Sequence, residues 1–259
     1  MQASHSALIR RLALLSLAGQ LVWVAVVVVA GAIEPGYSAT RDAISFLGAA
    51  TAERPWVFET GVAIWGLAFI AVAVALSLDA PRTWRGQLGP ALIALTGLAQ
   101  ILVGFPFPAD CRDTIDAGCE ARELAGRVSW QHQAHSWAYI IGGDALLLSV
   151  FAMAWRFRGD PRWGRADLLT LGSALLGVPI SATLFFFAES GMDGSYGLVQ
   201  RLALAAGAIW VAALALGLLA IHGRSGDPVV RLVERLRRLP GGELLVRPGS
   251  GSTAGATSR

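Results

Sequence analysis

Six stretches of this chain stay apolar for about twenty residues each: near Leu12 to Ile33, Trp56 to Leu78, Leu88 to Phe105, Gln133 to Trp155, Leu168 to Ala188 and Val199 to Ile221. A helix rising ~1.5 Å per residue crosses a ~30 Å hydrocarbon layer in that length, and lipid forces the backbone to satisfy its own hydrogen bonds. The expected fold is therefore all-α, a six-transmembrane-helix bundle over residues 1–222 with a tail over 223–259. Composition agrees, since 54% of the residues are hydrophobic and 15% charged, against the ~25% charged of ordinary soluble domains. Pro179 is expected to kink the fifth span. Arg10 and Arg11 before the first apolar run, with Ala30, Gly31 and Ala32 at its end, imitate a secretory signal and its cleavage site. The run is longer than the ~7–15 residues of a signal core, which favours a retained anchor over cleavage.

The basic residues are 21 arginines and no lysine. With six spans, 15 arginines fall on the side of the termini and 6 on the other, where 11 acidic residues also lie. The positive-inside rule then puts both termini in the cytoplasm and the long polar loops outside the plasma membrane. The net charge of +3 is thereby a matter of topology, and no nucleic-acid partner is expected.

The cysteines, Cys111 and Cys119, share one outer loop. They suit a small disulfide loop in an oxidising compartment; two free thiols, or a metal site with Asp110, Asp113 and Asp116, are the alternatives. With no CxxC pair, a zinc ribbon or thioredoxin-type motif is excluded. Haem held by two histidines fits badly, because His5 and His222 fall on the cytoplasmic side. No metal or cofactor is expected. In the tail, Asp227 and Pro228 open a helix whose apolar positions are Val229, Leu232, Val233, Leu236 and Leu239, with Arg231, Arg235, Arg237 and Arg238 between them. Such a helix suits the anionic inner leaflet, or is a solvated topogenic tail.

Polar residues inside the apolar layer carry the functional information. Asp144 lies near the middle of the fourth span, with Gln20, Thr96 and Ser181 at comparable depth. An exposed carboxylate there costs ~2.5–3.5 kcal/mol on insertion scales, so Asp144 is expected to face other helices, as a proton relay or as a buried packing acid. His132 and His135 open the same span at i and i+3 and project together, as half of a metal site, as a general base, or simply hydrogen-bonded. At the same level lie Tyr37, Ser38, Asp42 and Ser45, then Glu59, Glu189, Gln200 and Arg201. Arg201 is expected to pair with Asp42, Glu59 or Glu189, and the group to line a polar cup open to the outer leaflet.

The segment EPGYSATRDAISFLG, Glu34 to Gly48, contains a Pro35–Gly36 turn, a cap at Ser38 or Thr40 and an apolar side formed by Ala43, Ile44 and Leu47, so a short helix over the bundle mouth is expected. PGYS followed by D-x-I-S-x-L-G, the pair Pro55–Trp56, the histidine opening the fourth span and GLVQR from Gly197 to Arg201 resemble the prokaryotic membrane family of unknown function DUF998, over about residues 10–221. The resemblance implies a six-helix membrane protein and brings no catalytic residue. The residues themselves leave three functions: a cup for a lipid headgroup or small ligand, a membrane-embedded lipid hydrolase or transferase using the histidines with Asp42, Glu59 or Glu189, and a proton-coupled transporter using Asp144. Oligomeric state is not legible.

Overall fold

The computed structural model describes residues 2–158, 160–167, 170, 194–223, 226–239 and 246–247. Among them are five helices long and apolar enough to cross a membrane: α1 (Gln2–Ile33), α2 (Pro55–Asp79), α3 (Trp84–Gly104), α5 (Trp130–Phe157) and α6 (Tyr196–Ile221), with short helices α4 (Cys119–Leu124) and α7 (Pro228–Leu236). Two 3-10 turns, Ile44–Gly48 and Pro161–Trp163, complete the described elements. Apart from Thr170, the fifth predicted span, with Pro179 and Ser181, lies outside the described residues, as do Glu189 after it and the tail from 248 on. The other five predicted spans are present, α1 beginning ten residues earlier than its apolar run.

Helices that are apolar all round have no hydrophobic stripe to fix their rotation, and small residues fix it instead. In α1 a single face is buried: Ile9, Ala13, Ser16, Gln20, Trp23 and Ala30. It packs on α2, where Trp23 stacks on Trp65 at 4.6 Å and the Trp65 indole donates to Gln20 Oε1 at 2.6 Å. Between α2 and α3 the backbones at Gly66 and Gly97 approach so closely that neither position has room for a Cβ. In α5 the corresponding face is Gly142, Ala145, Ser149 and Met153. There Thr96 donates to the Gly142 carbonyl at 3.1 Å, so the mid-span polar groups Gln20 and Thr96 act as interhelical glue.

At the end of the bundle holding the N-terminus, one carboxylate collects four segments. Asp79, the last residue of α2, has a side chain with 0% exposure. It accepts from Arg156 Nη2 and Arg162 Nη1, each at 2.8 Å, from the Trp163 indole at 3.4 Å, and meets His222 Nε2 at 2.9 Å. The other His222 nitrogen lies 3.3 Å from the Ser6 hydroxyl on α1. Asp79→Ala should destabilise the protein by about 3–5 kcal/mol, because it strands a buried guanidinium. Arg162→Ala, at a half-exposed position, should cost under about 1 kcal/mol. Thermal unfolding in one detergent checks the ordering, and equal losses would make Asp79 an ordinary surface acid.

Candidate functional site at the loop end

The other end of the bundle is covered by two connections, 34–54 and 105–129, which brace one another. Arg112 bridges them, pairing with Glu34 through Nη1 and with Asp116 through Nη2 at 2.8 Å. Thr51 also donates to Asp116, and the Ala50 amide donates to the Ala109 carbonyl at 2.8 Å. The Arg112 guanidinium, with help from Thr51, holds the Asp116 carboxyl down at about 2 despite some desolvation. Cys111 and Cys119 form the disulfide, with Cα atoms 5.9 Å apart. Their sulfurs lie near Glu123, but in the disulfide neither is a thiolate able to hold a metal. The acids considered as metal ligands also diverge. Asp110 accepts from Ser129, Asp116 faces Arg112, and Asp113 faces Glu123.

His132 is held from both sides. Its Nε2 meets Glu123 Oε1 at 2.9 Å, and its Nδ1 accepts from the Asp110 amide at 3.0 Å. Asp110 in turn accepts from the Ser129 amide and hydroxyl, each at 2.6 Å, and the Ser129 hydroxyl caps α5 by accepting from the His132 amide. His135 is buried, with Nδ1 between the Val103 and Phe107 carbonyls at 3.1 and 2.9 Å, which fixes the hydrogen on Nδ1 and leaves Nε2 as the acceptor nitrogen.

A second neighbourhood forms where the first connection docks on α6. The Arg41 and Thr40 carbonyls accept from the Gly197 and Leu198 amides, at 3.1 and 2.8 Å, and the Asp42 carbonyl lies where a Cβ on residue 197 would stand. Gln200 Oε1 accepts from the Ile44 amide at 2.7 Å, and its side chain also hydrogen-bonds Tyr139. Ser45 sits half-buried in the 3-10 turn beside it. That turn is the expected short helix, but Ala43 precedes it without a side-chain cap, so neither Ser38 nor Thr40 caps it. Asp42 is fully engaged: Arg41 Nε at 2.7 Å, Thr114 Oγ1 at 2.6 Å and the Ser38 amide at 2.6 Å all donate to it. Burial alone would raise this carboxyl, but those donors outweigh it and hold it below its ordinary range. The Thr114 contact joins this neighbourhood to the disulfide loop.

The Asp42 and Glu59 pairings expected for Arg201, and the inward orientation expected for Asp144, are corrected here. Arg201 is not answered by an acid among the described residues. Its Nη1 donates to the Asp42 and Gly197 carbonyls at 3.1 and 2.9 Å, its Nη2 donates to the Tyr37 hydroxyl, and the guanidinium lies 5.5 Å from the Tyr37 ring centre. The physical reason is local competition: Arg41, adjacent in sequence, already occupies the Asp42 carboxylate. Glu59 is half-buried near the start of α2 and makes no ion pair among the described residues, and Glu189 lies outside them. Asp144 does not face the other described helices. It is exposed, opposite Gly142, Ser149 and Met153 on α5, because those smaller or slimmer residues are what let α3 approach. The sequence offers Asp113 and Asp116 only as possible metal ligands, and it does not single out Glu34, Arg112 and Glu123 as joining them in a brace. The one signal of that brace was the density of alternating charges around the cysteines.

The cap also titrates. Burial, and then the neighbouring Glu123 carboxylate, push Asp113 up to about 7. Since that lies above the ordinary 3.8, the folded loop holds a proton that the unfolded loop releases. The stabilisation is complete below about pH 4 and is lost as pH rises through 7. Amide protection factors over residues 110–129, which remove the intrinsic base catalysis of exchange, should therefore be smaller at pH 8 than at pH 5. Asp113→Asn, leaving Glu120, Glu123 and His132 in place, should remove most of that difference; an unchanged difference would assign it to His132.

No curated protein and no solved structure matches the chain. A family match covers residues 17–217, and its description is protein of unknown function (DUF998). The docked segment from Tyr37 to Gly48 and the Gly197–Arg201 turn that receives it both fall inside that span, and the chain belongs to the DUF998 family.

Proposed function

We propose that this is a six-span protein of a prokaryotic plasma membrane, with both termini cytoplasmic and the braced loop end outside, where Arg201 binds an anionic group of the outer leaflet. The ligand class is a phosphate or carboxylate, carried by a lipid headgroup or by a small molecule. One observation carries this reading: Arg201 is a half-buried guanidinium with no carboxylate against it among the described residues. Among the described residues its Nη1 and Nη2 have internal partners and its Nε has none, so the Nε side is the edge offered to a ligand. That edge is the one guanidinium groups use for two-point binding of oxyanions. The position, in the first turns of α6, adds the positive end of the helix dipole.

The hydrolase or transferase reading has less support, since His132 uses both ring nitrogens within the cap. A transporter centred on Asp144 has less support too, since that carboxyl points away from the packed face. At the opposite end, α7 is anchored by buried Val230 and by an Arg10–Asp227 pair at 2.9 Å. It leaves Leu232, Leu236 and Leu239 exposed beside Arg231, Arg235 and Arg238, a pattern that suits contact with anionic inner-leaflet lipid.

Native mass spectrometry of protein released from nanodiscs should retain phosphatidylglycerol over phosphatidylcholine. Arg201→Ala should lower that retention about ten-fold, near 1.4 kcal/mol, and Arg201→Lys should recover only part of it. Equal retention by all three proteins would end the headgroup reading, and loss of retention only after replacing Arg231, Arg235 and Arg238 would move binding to the tail. Reporter fusions after Arg82, Arg158 and Arg224 should read cytoplasmic, and fusions between Cys111 and Cys119 external.

A further inference from the structure

Helix α5 has two faces of opposite character. One carries Gly142, Ala145, Ser149 and Met153 against the bundle, with Leu146 reaching Gly207 of α6. The other carries large apolar side chains, from Trp137 at 63% exposed through Ile141, Leu148 and Phe151 to Trp155 at 38%. These residues, at helical spacings of three and four, form one stripe, and exposed Asp144 lies on its midline. Residue 144 is about 20 Å from either end of α5 at ~1.5 Å per residue, so the exposed carboxyl faces away from the described helices at the depth where a bilayer is driest. Beside it Gly143 has nothing within 4 Å of where a Cβ would be, which leaves a notch in the stripe.

A carboxyl at that depth needs both a donor and an acceptor from outside the packed face. A second copy of this chain supplies both. A two-fold axis along the membrane normal keeps every residue at its own depth, so a residue on the axis meets itself. Two protonated carboxyls facing each other exchange two hydrogen bonds, each acid donating once and accepting once. Glycine beside the polar residue allows the helices to approach, as small residues do in membrane interfaces generally. The two tryptophans, one towards each end of the stripe, sit at depths where indole rings favour the interface. We propose that the outward face of α5 is a homodimer interface, closed by Asp144 paired with its own counterpart across the two-fold axis.

Leu148→Cys tests this in the full chain, because the two native cysteines are already joined to each other. In proteoliposomes at high lipid-to-protein ratio, oxidation by copper phenanthroline and oxygen, which takes two electrons from two facing thiols, should join the variant into a disulfide-linked dimer. Adding Asp144→Leu should reduce the dimer yield about ten-fold, although it makes the face more apolar, whereas Asp144→Asn, which still donates and accepts, should keep it. Single-molecule photobleaching of labelled protein should show two steps for the parent and for Asp144→Asn, and one for Asp144→Leu. Three results would overturn the proposal: a monomeric parent, a dimer that survives Asp144→Leu, or a dimer lost equally in Asp144→Asn. Both leucine and asparagine at 144 should insert, so a failed dimer would not reflect a failed fold.

Discussion

The Asp79 carboxylate is the contact on which the arrangement of the helices turns. Around it, Asp79 and Asp160 balance Arg156 and Arg162, while the Arg156 guanidinium lies 5.5 and 5.7 Å from the Phe157 and Trp163 rings. Apolar helices in lipid slide and rotate at little cost, so a few directional contacts must set their register. Asp79 and Ser6 both meet His222, which levels the ends of α1, α2 and α6. Fourteen residues in from that end on each helix, after Ser6 in α1 and before Asp79 in α2, Gln20 meets Trp65. The equal spacing means that both contacts are satisfied by one alignment of the two helices.

The loop end follows a different rule. There the charges brace irregular backbone, and nearly every polar group has a named partner: Glu34 and Asp116 on Arg112, Asp42 on Arg41 and Thr114, His132 on Glu123 and Asp110. Such internal satisfaction turns two connections into a rigid cover, and the disulfide holds the second of them in shape. Against that background the exceptions stand out. Among the described residues, Arg201 is cationic without a carboxylate, and Asp144 is acidic without a neighbour of opposite charge on its face. Both functional inferences come from what the surrounding structure leaves unanswered.

How far the sequence could be read depended on which physical signal was present. Span positions were legible, because a bilayer imposes a length that apolar runs reveal directly. Helix rotation was not. Asp144 looked inward-facing on the argument that an acid must avoid lipid, yet Gly142, Ala145 and Ser149 decided which side of α5 packs. The same gap hid the partner of Arg201, since counting acids at matching height ignores that Arg41 reaches Asp42 first. Asp79 passed unnoticed because an acid at a helix end near Arg82 and Arg85 reads as solvated, and only the fold brings Arg156, Arg162 and His222 to it. The cysteine pairing was legible because eight residues of separation in one loop left few alternatives.

The joint between the first connection and α6 has a consequence for biogenesis. The amides of Gly197 and Leu198 are capped by the carbonyls of Arg41 and Thr40, groups that leave the ribosome more than 150 residues earlier. Until α6 is inserted, those carbonyls and Asp79 at the opposite end wait without their last partners. Membrane helices form individually before they assemble, so here both ends of the bundle close in a single late event. The final helix acts as the keystone, and a chain stalled before it would hold its earlier helices in the bilayer with neither end locked.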